Sequence, residues 1–78
     1  MRETTYRPID CGLHSSYENL AMRRQQVRAC CDTESGQQFY SGKVVDVFTL
    51  KGAEYLRLQL TDGENLDIRL DHIREIST

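Results

Sequence analysis

The stretch EYLRLQLTDGENLDIRLD, Glu54 to Asp71, decides the fold. Two runs in it alternate strictly. Leu56, Leu58 and Leu60 oppose Tyr55, Arg57 and Gln59; then Leu66, Ile68 and Leu70 oppose Asp67, Arg69 and Asp71. Successive side chains of a strand point to opposite faces, so each run reads as a strand with one apolar and one polar face. Asp62–Gly63 between them is the strongest hairpin signal in the chain, because tight hairpin turns need residues that tolerate positive φ.

Working toward the N-terminus, Lys51–Gly52 is a second turn, preceded by FYSGKVVDVFTL, Phe39 to Leu50. That run is β-branched and aromatic, the mark of a long strand. Gly42 interrupts it, and a glycine inside a strand signals a bend, a bulge or close backbone approach. TESGQQ supplies another turn at Gly36, and QVRACCDT before it alternates Val27, Ala29 and Cys31 against Arg28 and Cys30. Toward the C-terminus, HIREIS predicts a last short strand, or a 3₁₀ turn plus strand, burying Ile73 and Ile76. Five curved antiparallel strands joined by tight turns predict a small barrel over residues 26–77.

Upstream the period changes. SSYENLAM predicts a short helix over 15–24, with Ser15 and Glu18 at capping-box spacing and Tyr17, Leu20, Ala21 and Arg24 on one face. Residues 1–14 show no period and predict an extended strap. Within TYRPIDC, Pro8 biases Arg7 toward extended backbone. Tyr6, Ile9 and Cys11 are expected to pack on the barrel, with Asp10 facing out. The expected fold is therefore mostly β: one domain over 1–78, a small five-or-more-stranded antiparallel barrel (Sm-like or SH3-like, with an OB-type barrel as the alternative) preceded by one short α-helix.

Composition agrees with one small globular domain. The chain has 78 residues, 38% of them hydrophobic and 28% charged, too apolar for a disordered segment. No apolar run is long enough for a membrane span, and the N-terminus lacks a signal-peptide core, so a cytoplasmic protein is expected. Three cysteines make no disulfide framework. Cys30 and Cys31 point to opposite faces, which prevents them from sharing a metal and predicts one in the core. Charge is uneven. Residues 1–31 carry five Arg against Glu3, Asp10 and Glu18, a net +2; residues 32–78 carry five Lys/Arg against nine Asp/Glu, a net −4. This balance argues against direct nucleic-acid binding and toward a basic protein partner.

No catalytic constellation appears, so an enzyme is not expected, nor any metal or cofactor. His14 and His72 lie far apart in sequence; His14 reads as exposed and inert, His72 as packed or solvated. Asp67, Arg69 and Asp71 read as the solvated outside of a strand. Tyr6, Tyr17, Phe39, Tyr40, Phe48 and Tyr55 are scattered, and Arg23, Arg24 and Arg28 form a basic patch without clear aromatic interleaving. A stand-alone Sm-like RNA-binding module is the alternative reading.

TYRPIDC, YENLA, GQQFYSGKVVDVFTLKGAEYL and IRLDHIREI together resemble the Rof family, small bacterial inhibitors of the transcription termination factor Rho. The resemblance spans about residues 5–76, and Tyr6-Pro8-Ile9-Cys11 with Arg69-Leu70-Asp71-x-Ile73 carries most of it. It implies a cytoplasmic, monomeric Sm-like barrel that binds the RNA-binding N-terminal domain of Rho and blocks its primary RNA site. The contact surface it implies falls on Asp10, Tyr17, Glu18 and Asn19. Glu18 and Asp10 would pair with basic side chains of Rho, Tyr17 would stack where a base lies or else dock the helix, and Asn19 would hydrogen-bond. Glu18 is the lone acid beside this tyrosine, where the family pattern has several. Part of the contact is therefore expected at Asp62, Glu64, Asp67 and Asp71.

Overall fold

The change of period at Gln26 marks the change of structure. A helix, α1 (Cys11–Arg23), precedes five strands: β1 (Gln26–Thr33), β2 (Gly36–Leu50), β3 (Ala53–Leu60), β4 (Asn65–Arg69) and β5 (Ile73–Ser77). The structure is a computed structural model that describes residues 8–78. All pairings are antiparallel, in the order β4-β3-β2-β1-β5.

The sheet is not closed into a barrel, which corrects the expected closure. After five residues β4 gives way to a 3₁₀ turn, Leu70–His72. That turn carries the chain from the β3 side of the sheet to the β1 side. β4 and β5 are thus consecutive in sequence yet sit at opposite ends of the hydrogen-bonded order. The turn lies against both β1 and β3 and buries Leu70 in the core.

Alternation places the core as expected. Val27, Ala29, Cys31, Val44, Leu56, Leu58, Ile68 and Leu70 form one buried cluster with Tyr17, and Ile73 and Ile76 pack against it. Cys31 lies in this core; Cys30 is also buried, on the other face, with its Sγ 3.9 Å from Gln37 Oε1. The Asp62–Gly63 turn joins β3 to β4, with Gly63 at φ 91°.

β2 is long enough to serve two partners. Its first part pairs with β1 and its second with β3, and Gly42 belongs to both ladders, facing Val27 and Leu60. The ladder with β3 shifts register between Val44 and Asp46, so the strand's irregularity is a bulge just beyond the glycine. Gly42 serves close approach.

Asp71 departs from the expected solvated face. The strand ends at Arg69, alternation stops, and the 3₁₀ turn folds the Asp71 carboxylate inward to 5% exposure. Arg69, at 12%, donates to it twice, Nε to Oδ1 at 2.7 Å and Nη2 to Oδ2 at 2.8 Å. Asp67 does stay exposed, where Arg57 donates to it at 2.8 and 3.2 Å across the β3–β4 register. These bonds, and then the nearby carboxylate charge, hold the Arg57 guanidinium more firmly in its charged form.

The helix starts earlier than predicted. Asp10 is its N-cap, the side chain accepting from the Gly12 N–H at 3.0 Å, and Ser15 lies a full turn inside. The first turn faces solvent, so it left no apolar period to read. Arg24, left-handed at φ 50°, ends the helix, and Val44 N–H donates to the Gln25 carbonyl at 3.0 Å, tying its exit to β2. Of the strap, Ile9 packs on the core, whereas Cys11 is exposed on the helix's first turn; Tyr6 lies outside the described residues.

Burial sets an alkaline limit. Desolvation, then the neighbouring Cys30 and Asp32, pushes the Cys31 thiol up from 9.0 to about 11. Burial raises the Tyr17 phenol in the same direction. The folded state therefore holds protons that the unfolded chain releases. The stability from Cys31 is full below pH 9.0 and is lost as pH rises through about 11. Thermal melts should show a decline on the order of 2 kcal/mol over this window, reduced in Cys31→Ala. A flat profile would contradict the buried thiol.

Candidate functional site

A helix that docks by one narrow stripe leaves a groove beside it. Tyr17 is the buried residue of α1, with Leu20 and Ala21 partly covered. The flank of α1 that meets β2 borders an open groove of about 420 Å³. Ser15, Glu18, Asn19 and Met22 line it from the helix, Asp46 and Val47 from the strand.

Its chemistry is acidic with an apolar lip. Glu18 is 55% exposed, and Asp46 is exposed with its Oδ1 accepting from the Val47 N–H at 2.9 Å, which fixes the carboxylate's direction. No Lys or Arg side chain ion-pairs with either carboxylate among the described residues. Asn19 adds an amide, and Met22, 82% exposed, adds a polarizable, adaptable apolar contact. Two like charges facing one concavity from separate elements favour a cationic occupant.

His14 is not inert. Its Nδ1 lies 3.5 Å from Glu18 Oε1, one turn along the helix, and its Nε2 lies 2.9 Å from Glu54 Oε1 on β3. The imidazole thus sits between α1 and β3, within reach of a carboxylate on each. Sequence spacing could have shown the His14–Glu18 pair, since i and i+4 meet on a helix. Glu54 and Asp46 come from strands distant in sequence and could not have been paired with the helix.

The expected contact residues are only partly brought together. Glu18 and Asn19 share the groove. Asp10 is exposed but occupied as the N-cap and lies outside the lining. Tyr17 is 5% exposed and points into the core, so it docks the helix and presents no ring to a partner. Asp62 and Glu64 are exposed at the β3–β4 turn, where Asp62 accepts from the Glu64 N–H at 2.9 Å. Asp67 is held by Arg57, and Asp71 is folded away against Arg69.

The aromatics are less scattered than the sequence suggested. Register sets Phe48 opposite Tyr55, their rings stacked at 5.5 Å and 16°, with the Arg57 guanidinium 4.9 Å from the Phe48 centroid. On β1 and β2, Arg28 lies 5.2 Å over Phe39. Among the described residues no three His, Cys, Asp or Glu side chains converge as a metal site, and no helix is long and apolar enough to cross a membrane. Compared with known proteins, the chain matches no family model and no curated protein.

Proposed function

We propose that this protein is a Rof-like, Rho-binding antiterminator: a small cytoplasmic monomer, with an Sm-like strand arrangement, that occupies the RNA-binding N-terminal domain of Rho and keeps transcripts out. The observation that carries the reading is the acidic groove between α1 and β2. It collects Glu18 and Asn19, two residues implied by the family resemblance, and adds Asp46 from the sheet. A site that holds RNA is lined with Lys and Arg. Carboxylates set in a concave surface compete for those cations and steer the encounter electrostatically. Asp46 offsets the thinned acidity around Tyr17.

The test is displacement of labelled RNA from purified Rho N-terminal domain. Wild-type protein is expected to displace RNA at low salt, with potency falling as ionic strength rises. Glu18→Lys and Asp46→Lys are each expected to weaken binding about tenfold or more, because each places a like charge against a basic surface. Glu18→Lys should leave the thermal midpoint close to wild type, since Glu18 is exposed and no part of the helix cap. Asp46→Lys should lower it modestly, because it removes the acceptor of the Val47 N–H and sets a cation opposite Arg57. Failure to displace RNA at low salt would overturn the proposal.

A further inference from the structure

A second surface differs from the groove in charge and chemistry. The outward-facing residues of β1 and β2 include Gln26 opposite Lys43, Arg28 opposite Ser41, and Cys30 opposite Phe39. Arg24 precedes this strip by two residues at the helix end. Arg24, Arg28 and Lys43 are all exposed, and none makes an ion pair among the described residues. Phe39 is 57% exposed, a large ring left in solvent on a strand, and the Arg28 guanidinium lies 5.2 Å from its centroid. The acids bordering the strip are Glu75, opposite Cys30 on β5, and Asp32, which Arg74 engages at 3.1 Å.

We propose that this outer face of β1 and β2 binds single-stranded nucleic acid, with a base stacked on the Phe39–Arg28 pair and the phosphates tracking Lys43 and Arg24. The Phe48–Tyr55–Arg57 stack farther along β2 is a poorer candidate, because Asp67 ion-pairs with its guanidinium and Asp46 faces it across the register. The Phe39 strip joins a planar stacking platform to cations that make no ion pair among the described residues, the combination that holds single strands with little sequence preference. Lys43 and Phe39 stand four residues apart on one strand, about 14 Å, so the platform and the cationic track form one continuous strip. This departs from the expectation drawn from net charge: the protein is acidic in sum, yet this face carries three exposed cations that make no ion pair among the described residues.

Fluorescence anisotropy of a labelled oligouridylate RNA, with the full chain and no other protein, tests this. Saturable binding is expected at low salt, with a Kd at or below about 100 µM. Phe39→Ala should weaken it about fivefold or more. Arg28→Ala should weaken it and flatten the dependence of log K on log salt by about 0.7. Binding of Phe39→Ala to the Rho domain, measured without RNA, should match wild type, so the two proposals fail separately. No anisotropy change, wild-type RNA affinity in Phe39→Ala, or competition by polyglutamate equal to that by unlabelled RNA would each overturn the proposal. Circular dichroism of the variants, both altered at exposed positions, verifies that they fold.

Discussion

Gly42→Ala is expected to unfold the protein. A Cβ at this position would stand 2.3 Å from the Gln59 carbonyl oxygen and 2.9 Å from its carbon, with Leu58 Cγ at 3.2 Å. The obstacle is backbone, so no rotamer change relieves it. β3 would have to move off β2 where Gly42 pairs with Leu60 and Lys43 with Gln59, while β1 holds the same residues from the other side. A clash of this kind falls in the severe class, above about 4 kcal/mol. A domain of 78 residues has on the order of 4–12 kcal/mol in total. Chemical denaturation followed by far-UV circular dichroism should show a lost or strongly shifted transition for Gly42→Ala and a near-normal one for Ser41→Ala, an exposed neighbour. A wild-type midpoint for Gly42→Ala would mean that β2 and β3 do not approach this closely.

Tyr17→Ala is expected to cost about 3–5 kcal/mol and to abolish partner binding with it. The ring is the helix's buried anchor in a core shared with Val44, Leu56 and Leu58. A 13-residue helix is marginal alone in water, so without this anchor α1 loses its reason to stay folded. The groove has α1 as one wall and would go with it. Tyr17→Phe keeps the ring and should retain most of both properties. The informative contrast is with Glu18→Lys, which should lose binding while keeping its melting temperature. If Tyr17→Ala instead kept full stability and lost only binding, the tyrosine would be a contact residue after all.

The candidate site was half legible in the sequence. Glu18 and Asn19 are named through the family resemblance, and the groove is wide enough that both line it although consecutive helix residues point in different directions. Asp46 and the His14–Glu54 contact were invisible, because each joins α1 to a strand far along the chain. Tyr17 carried two readings at once. A tyrosine in an amphipathic pattern fits either a core or a contact surface, and only packing chooses between them. Alternation misplaces Asp71 because the strand ends two residues earlier, at Arg69, and gives way to a 3₁₀ turn.

The sequence by itself determined the strand count, the three hairpin turns at Gly36, Lys51–Gly52 and Asp62–Gly63, the apolar faces of β1, β3 and β4, and a special backbone role for Gly42. These follow from side-chain alternation and from turn and backbone sterics, which act within a few residues. Tertiary structure decided that the sheet stays open with Leu70 buried in its core, that Tyr17 turns inward, and that Asp46 joins Glu18 to make an acidic groove. It also gathered Arg24, Arg28 and Lys43, which make no ion pair among the described residues, beside an exposed phenylalanine in a chain of net −2. Each of these depends on which distant residues meet. Meeting is governed by the register shift beyond Gly42 and by where the helix docks, neither of which leaves a periodic signal in the sequence.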